Sequence, residues 1–114
     1  MTIKRLKSNA RMSQAVIHGS TVYLAGQVGD GNTVAEQTAS ILKTVDALLA
    51  EAGTDKSRIV HTLVWLPDIG TFAEMNSVWE KWVDPGNTPA RATVQATLTD
   101  PSYLVEIMIT AARD

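Results

Sequence analysis

The alternation of apolar and polar positions divides the chain into extended runs and two amphipathic segments. Thr2–Leu6 reads as a short strand, and Lys7–Arg11 as a polar link. Gln14–His18 (QAVIH) and Thr21–Val28 (TVYLAGQV) are rich in β-branched and aliphatic residues. Gly19-Ser20 between them fits a tight hairpin turn. Gly26, inside the second run, marks a bulge or a point of close approach by backbone or ligand. Gly29-Asp30-Gly31-Asn32 is a loop.

From Val34 the period changes to that of a helix. Val34, Thr38, Ile41, Leu42, Val45, Leu48, Leu49 and Ala52 fall on one stripe. Thr33 and Glu36 have capping-box spacing at its start, and Gly53 supplies a left-handed stop. Ile59–Leu66 (IVHTLVWL) is apolar on both faces, as a central strand is, and ends at Pro67. A second helix is predicted over Thr71–Val83, with Phe72, Met75, Trp79, Trp82 and Val83 as its stripe. Thr71 and Glu74 repeat the capping-box spacing, and Asp84-Pro85-Gly86-Asn87 ends the helix.

Thr88–Met108 (TPARATVQATLTDPSYLVEIM) reads as two strands joined by a turn near residues 99–103. Ala92, Val94, Ala96 and Leu98 alternate with Thr93, Gln95, Thr97 and Thr99. The order is therefore β-β-β-α-β-α-β-β, an α+β domain with both helices expected on one face of a mixed sheet. No third layer is available for the other face, on which the Thr-Gln-Thr row, or Ile107 and Ile109, is expected. An uncovered face of this kind predicts a symmetric homo-oligomer.

Composition narrows the function classes. A chain of 114 residues, 45% hydrophobic and 19% charged, is one globular domain spanning residues 1–114. The net charge is −2, and the ten basic residues are scattered, so no nucleic-acid partner is expected. Absence of cysteine excludes disulfides, thiolate catalysis and thiolate-bound metal. His18 and His61 stand alone without metal-ligand spacing. The N-terminal stretch lacks the apolar core of a signal peptide, and no window approaches a transmembrane span. A soluble cytoplasmic protein is the expectation, with no membrane partner.

Two residues carry candidate chemistry. Arg91 opens a strand directly behind Pro89-Ala90, and Glu106 sits between Leu104-Val105 and Ile107-Met108-Ile109. A carboxylate in such a run lies at a wet cleft, finds a partner, or costs several kcal/mol. The hairpin reading puts Arg91 opposite Ala111 and Glu106 about 17 Å away, at ~3.4 Å per residue. The two are then expected to meet only across a subunit boundary.

The segments Ser13–Val28 (SQAVIHGSTVYLAGQV), Phe72–Asn76 (FAEMN), Pro89–Arg91 (PAR) and Val105–Ile107 (VEI) together resemble the Rid family. That family is also called RidA/YjgF and, in older naming, endoribonuclease L-PSP. The resemblance implies a chorismate-mutase-like fold and a homotrimer with ligand clefts between subunits. It also implies cofactor-free hydrolysis of small 2-imino acids to 2-keto acids and ammonia. It assigns Arg91 to the substrate carboxylate and Glu106 to water and proton transfer, both as catalytic residues. Gly26 and Asn76 match ligand-contact positions. Ala25 stands where the family has a serine, and Met12 where a tyrosine is common. Thr93 replaces a cysteine, and Met108 replaces the second glutamate of the usual EIE.

The residue chemistry fits this assignment. A planar guanidinium offers a carboxylate two parallel donors in fixed orientation, which an ammonium does not. A glutamate among apolar neighbours has its pKa raised by desolvation and suits proton relay. Two other readings remain open at this point. One is a binding protein that holds a carboxylate metabolite without catalysis, which the missing hydroxyls at Met12 and Ala25 favour. The other is a ribonuclease, disfavoured by the acidic chain.

Overall fold

A computed structural model describes residues 1–114. Six strands and two helices follow in chain order: β1 (Ile3–Ser8), β2 (Ser13–His18), β3 (Thr21–Leu24), α1 (Val34–Glu51), β4 (Ile59–Leu66), α2 (Phe72–Trp82), β5 (Ala90–Gln95) and β6 (Glu106–Ala112). They form one mixed sheet in the order β1-β2-β3-β6-β4-β5. The α+β class and the element order match the sequence expectation.

The β2–β3 hairpin turns at Gly19, whose φ of 62° is the left-handed conformation a tight turn requires. α1 ends before Gly53, with φ of 83°. The Thr33 hydroxyl accepts from the Glu36 amide at 3.1 Å and donates to the Glu36 carboxylate at 3.2 Å. Thr33 therefore caps α1, while Glu36 closes the box on the threonine side chain instead of its backbone.

At α2 the expected capping box does not form. The Thr71 hydroxyl donates to the Asp68 carbonyl and makes no cap bond to the helix. Glu74 instead accepts from the Ala35 amide at 2.8 Å, and so caps the first turn of α1 from the neighbouring helix. A short 3-10 turn, Ile69–Thr71, runs directly into α2, so the free amides lie one turn earlier, and Asp68 caps Gly70.

The larger correction concerns the last two strands. β5 and β6 do not form a hairpin. β5 pairs in parallel with β4 at the sheet edge, whereas β6 lies between β3 and β4, antiparallel to both. Strand structure stops at Gln95, and residues 96–105 carry the chain past β4. β4 has two free edges to fill. Inserting β6 there buries its Ile107, Ile109 and Ala111 completely against the helices. A simple hairpin would leave that apolar strand at an edge.

Strand burial alternates accordingly. Ile107, Ile109 and Ala111 of β6, with Thr62, Val64 and Leu66 of β4, point into the helix layer. Ile107 and Ile109, expected on the uncovered face, are thus core residues. They join Ile41, Leu42, Val45 and Leu49 of α1 and Met75 of α2 in one cluster. The opposite face carries Tyr23, Leu63, Trp65, Glu106 and Met108 and has nothing over it within the chain. A bulge at Val60, between the Ile59–Ala111 and His61–Thr110 pairs, leaves Val60 and His61 both exposed.

Candidate functional site

Arg91 is the second residue of β5 and the ladder partner of Thr62 on β4. Partners in a parallel pair share a face, so Arg91 points toward the helix layer. There α2 presents Phe72 and Trp79, seven residues apart on one helical stripe. The guanidinium carbon lies 5.6 Å from the Phe72 ring centroid and 5.4 Å from that of Trp79. Two aromatic faces thus hold the cation where burial alone would disfavour it. Desolvation pulls the Arg91 pKa downward, and the nearby Glu80 charge opposes that pull. Arg91 nevertheless forms no ion pair; the salt bridges of the chain are Lys7–Glu51 and Arg58–Asp114.

Asn76 lies between the two aromatic residues, one turn from each. It lines, with Arg91, Trp79, Glu80, Thr88 and Pro89, a depression of about 300 Å³. Its amide oxygen is buried without a hydrogen-bond partner. So are the hydroxyls of Thr62, ladder partner of Arg91, and of Thr93, two residues along the same face. These are the buried side-chain polar atoms of the protein left without partners, and all three belong to the compartment between α2 and the β4–β5 pair. Each such atom costs about 1–3 kcal/mol. All three lie on the side of the sheet to which the unpaired Arg91 guanidinium points.

Glu106 begins β6 and is the ladder partner of Trp65. One residue before buried Ile107, it points to the uncovered face. Its carboxylate makes no hydrogen bond or ion pair, and desolvation raises its pKa above the ordinary 4.5. Gly26 lies directly against it: a β-carbon at position 26 would overlap Oε2 of Glu106. The close approach anticipated at Gly26 is therefore that of the acid. Gly26 and Met12, with Lys7, Gln14 and Thr44, line a separate cleft of about 470 Å³. Ala25 extends the β2–β3 ladder, its amide donating to the Gln14 carbonyl.

Of the six expected site residues, Arg91 and Asn76 come together and Glu106 meets Gly26, whereas Met12 lies in the separate cleft with Gly26 and Ala25 is placed only by its ladder bond to Gln14. Arg91 and Glu106 lie two strands apart and three ladder positions apart, about 14 Å between α-carbons. The hairpin register is replaced, but the separation persists, and opposite faces reinforce it. Sequence reasoning did not single out Thr62, and it read Phe72 and Trp79 as part of the apolar stripe of the second helix. The Phe72–Asn76–Trp79 spacing was the available signal, since it puts an amide between two rings on one stripe.

The endoribonuclease L-PSP family model matches residues 2–113. The chain is 45% identical to the RutC family protein YoaB of Escherichia coli, over 98% of this chain and 99% of that protein. It is 42% identical to a RutC family protein of Haemophilus influenzae, over 97% and 98% respectively. It is 35% identical to the 2-iminobutanoate/2-iminopropanoate deaminase of Rattus norvegicus, over 83% and 74%. Its fold superposes with a TM-score of 0.98 on a crystal structure of a YjgF-family protein from Neisseria meningitidis, 44% identical, covering 100% of this chain and 97% of that one. The chain belongs to the endoribonuclease L-PSP family, the Rid or YjgF family of the sequence resemblance.

Proposed function

We propose that the protein hydrolyses small 2-imino acids to 2-keto acids and ammonia in clefts between the subunits of a homotrimer. The observation that carries this reading is Arg91: a guanidinium packed on two aromatic rings, free of any protein carboxylate, at a depression that it shares with the unpartnered Asn76 amide oxygen. The substrate carboxylate takes the two parallel donors of Arg91, which fixes the imine carbon relative to the protein. Water then adds to that carbon and a proton goes to nitrogen. The resulting carbinolamine loses ammonia as its C–N bond breaks and C=O forms. This sequence of hydration and elimination calls for no cofactor.

Glu106 assists the proton transfers, its desolvated carboxyl holding a proton to higher pH than an exposed glutamate. Because Arg91 and Glu106 of one chain face opposite sides of the sheet, the acid comes from a neighbouring protomer. The uncovered face, with Leu63, Trp65 and Met108, supplies the contact surface. The rat relative named for imine deamination supports this reading at the level of the family. The absence of a membrane-spanning helix agrees with cytoplasmic work on metabolites.

A second reading, binding of small carboxylate metabolites without turnover, is favoured by Met12 and Ala25, which bring no hydroxyl to the cleft. Generating the imine with a pyridoxal-phosphate dehydratase and following its loss separates the two. Wild type is expected to accelerate the loss and Arg91→Ala to leave it at the spontaneous rate. Unchanged decay with wild type, together with measurable keto-acid binding, would establish the binding reading instead.

A further inference from the structure

Away from Arg91, a groove of about 340 Å³ runs between α1 and α2. Its floor is apolar: Ala39 and Leu42 from α1, Val78 and the Trp82 ring from α2. Its rim holds Lys43, Lys56 and Lys81, three of the five lysines of an otherwise acidic chain. None of the three is within salt-bridge distance of a carboxylate, both ion pairs of the chain lying elsewhere. The one acid of the groove, Asp46, is engaged by the Trp82 indole N–H at 2.9 Å. Lys56 is fixed in place, donating to the Trp82 carbonyl at 2.6 Å and lying 5.3 Å above the indole.

Lys56 by itself is a cap for the last turn of α2 and needs no ligand to explain it. Lys43 and Lys81 have no such structural task, and they rise from opposite helices over one hydrophobic floor. Three cations against one hydrogen-bonded acid give the groove a local excess of positive charge, in a molecule whose net charge is −2. An apolar floor with a few convergent charged groups, at this volume, is the composition of a small-molecule site.

We infer that the α1–α2 groove binds small amphipathic anions, a carboxylate between Lys43 and Lys81 with its aryl or branched aliphatic body on Ala39, Val78 and Trp82. Charge complementarity selects an anion over a cation, and the floor selects an apolar body over a bare inorganic ion. The site is separate from the Arg91 compartment, although the Trp82 and Trp79 rings are only 5.4 Å apart. Because Trp79 also carries Arg91, the test has to tell the two sites apart.

The Trp82 indole N–H, hydrogen-bonded at the groove wall, is a local reporter in ¹H–¹⁵N spectra of the whole protein. Titration with 4-phenylbutyrate is expected to move this resonance saturably, and 4-phenylbutylamine is not. The double variant Lys43→Glu/Lys81→Glu, altered at two exposed helix positions, is expected to weaken binding at least about tenfold, and added salt to weaken it further. Arg91→Ala is expected to leave the affinity unchanged. No saturable shift, equal response to the amine, or equal affinity in the double variant would overturn the assignment. Loss of the shift in Arg91→Ala would place the ligand at the other site and overturn it as well. The imine-hydrolysis reading is unaffected by any of these outcomes, since it stands on the coupled assay.

Discussion

Thr62→Val is expected to make the protein more stable, although Thr62 is completely buried. The threonine hydroxyl has no partner in the folded chain, whereas in the unfolded chain it is fully hydrated. Burying such a group costs about 1–3 kcal/mol. Valine has nearly the same shape and similar strand preference, and its extra methyl adds favourable burial on the order of 0.8 kcal/mol. The net gain expected is about 2–4 kcal/mol. At ~2.1 cal/mol/K per residue, 114 residues give an unfolding entropy of about 240 cal/mol/K, so each kcal/mol raises Tm by about 4 °C. Urea unfolding at fixed protein concentration checks this, with the midpoint rising and the m-value unchanged. The same substitution is expected to reduce keto-acid affinity or imine turnover, because a compartment kept polar for a guest trades stability for binding. If Thr62→Val were as stable as wild type or less so, the hydroxyl would have a partner, and the argument from unpartnered atoms around Arg91 would fail.

Three further expectations follow from single contacts. The raised carboxyl pKa of Glu106 means that its contribution to stability is fully present below the ordinary value of 4.5 and is lost as pH rises through the raised value. Glu106→Gln is therefore expected to gain on wild type as pH rises above 4.5, read as a growing difference in urea midpoints; a constant difference would show that Glu106 is not desolvated. Met108→Asp, on the uncovered sheet face beside Leu63, is expected to yield a folded monomer by analytical ultracentrifugation and to abolish imine hydrolysis. A fully active monomer would refute the intersubunit cleft. Glu74→Ala removes the acceptor of the Ala35 amide and is expected to cost about 1 kcal/mol in chemical unfolding, and Thr71→Ala much less. The reverse ranking would restore the capping box at α2.

Much of the fold was legible because it is local. The stripe from Val34 to Ala52 is a helix wherever it docks, and β4 occupies Ile59–Leu66 as its apolar run indicates. Arg91 and Glu106 could be singled out because a guanidinium behind Pro-Ala and an acid among aliphatics are anomalies of sequence. Strand partnership was not legible in that way. Residues 96–105 separate β5 from β6 by a length that serves a hairpin or a crossing of β4 equally well. Tertiary packing chose the crossing, because only a central position buries Ile107, Ile109 and Ala111 on the helix face while leaving Glu106 on the other. Glu74 shows the same limit at a single residue: spacing assigned it to its own helix, and the proximity of α1 gave it to Ala35. The sequence by itself determined the elements and the two ionisable residues, because periodicity and composition act within a few turns of chain. Which face each residue occupies, and which atoms are left without partners, was decided by the tertiary structure, where burial sums over strands far apart in sequence.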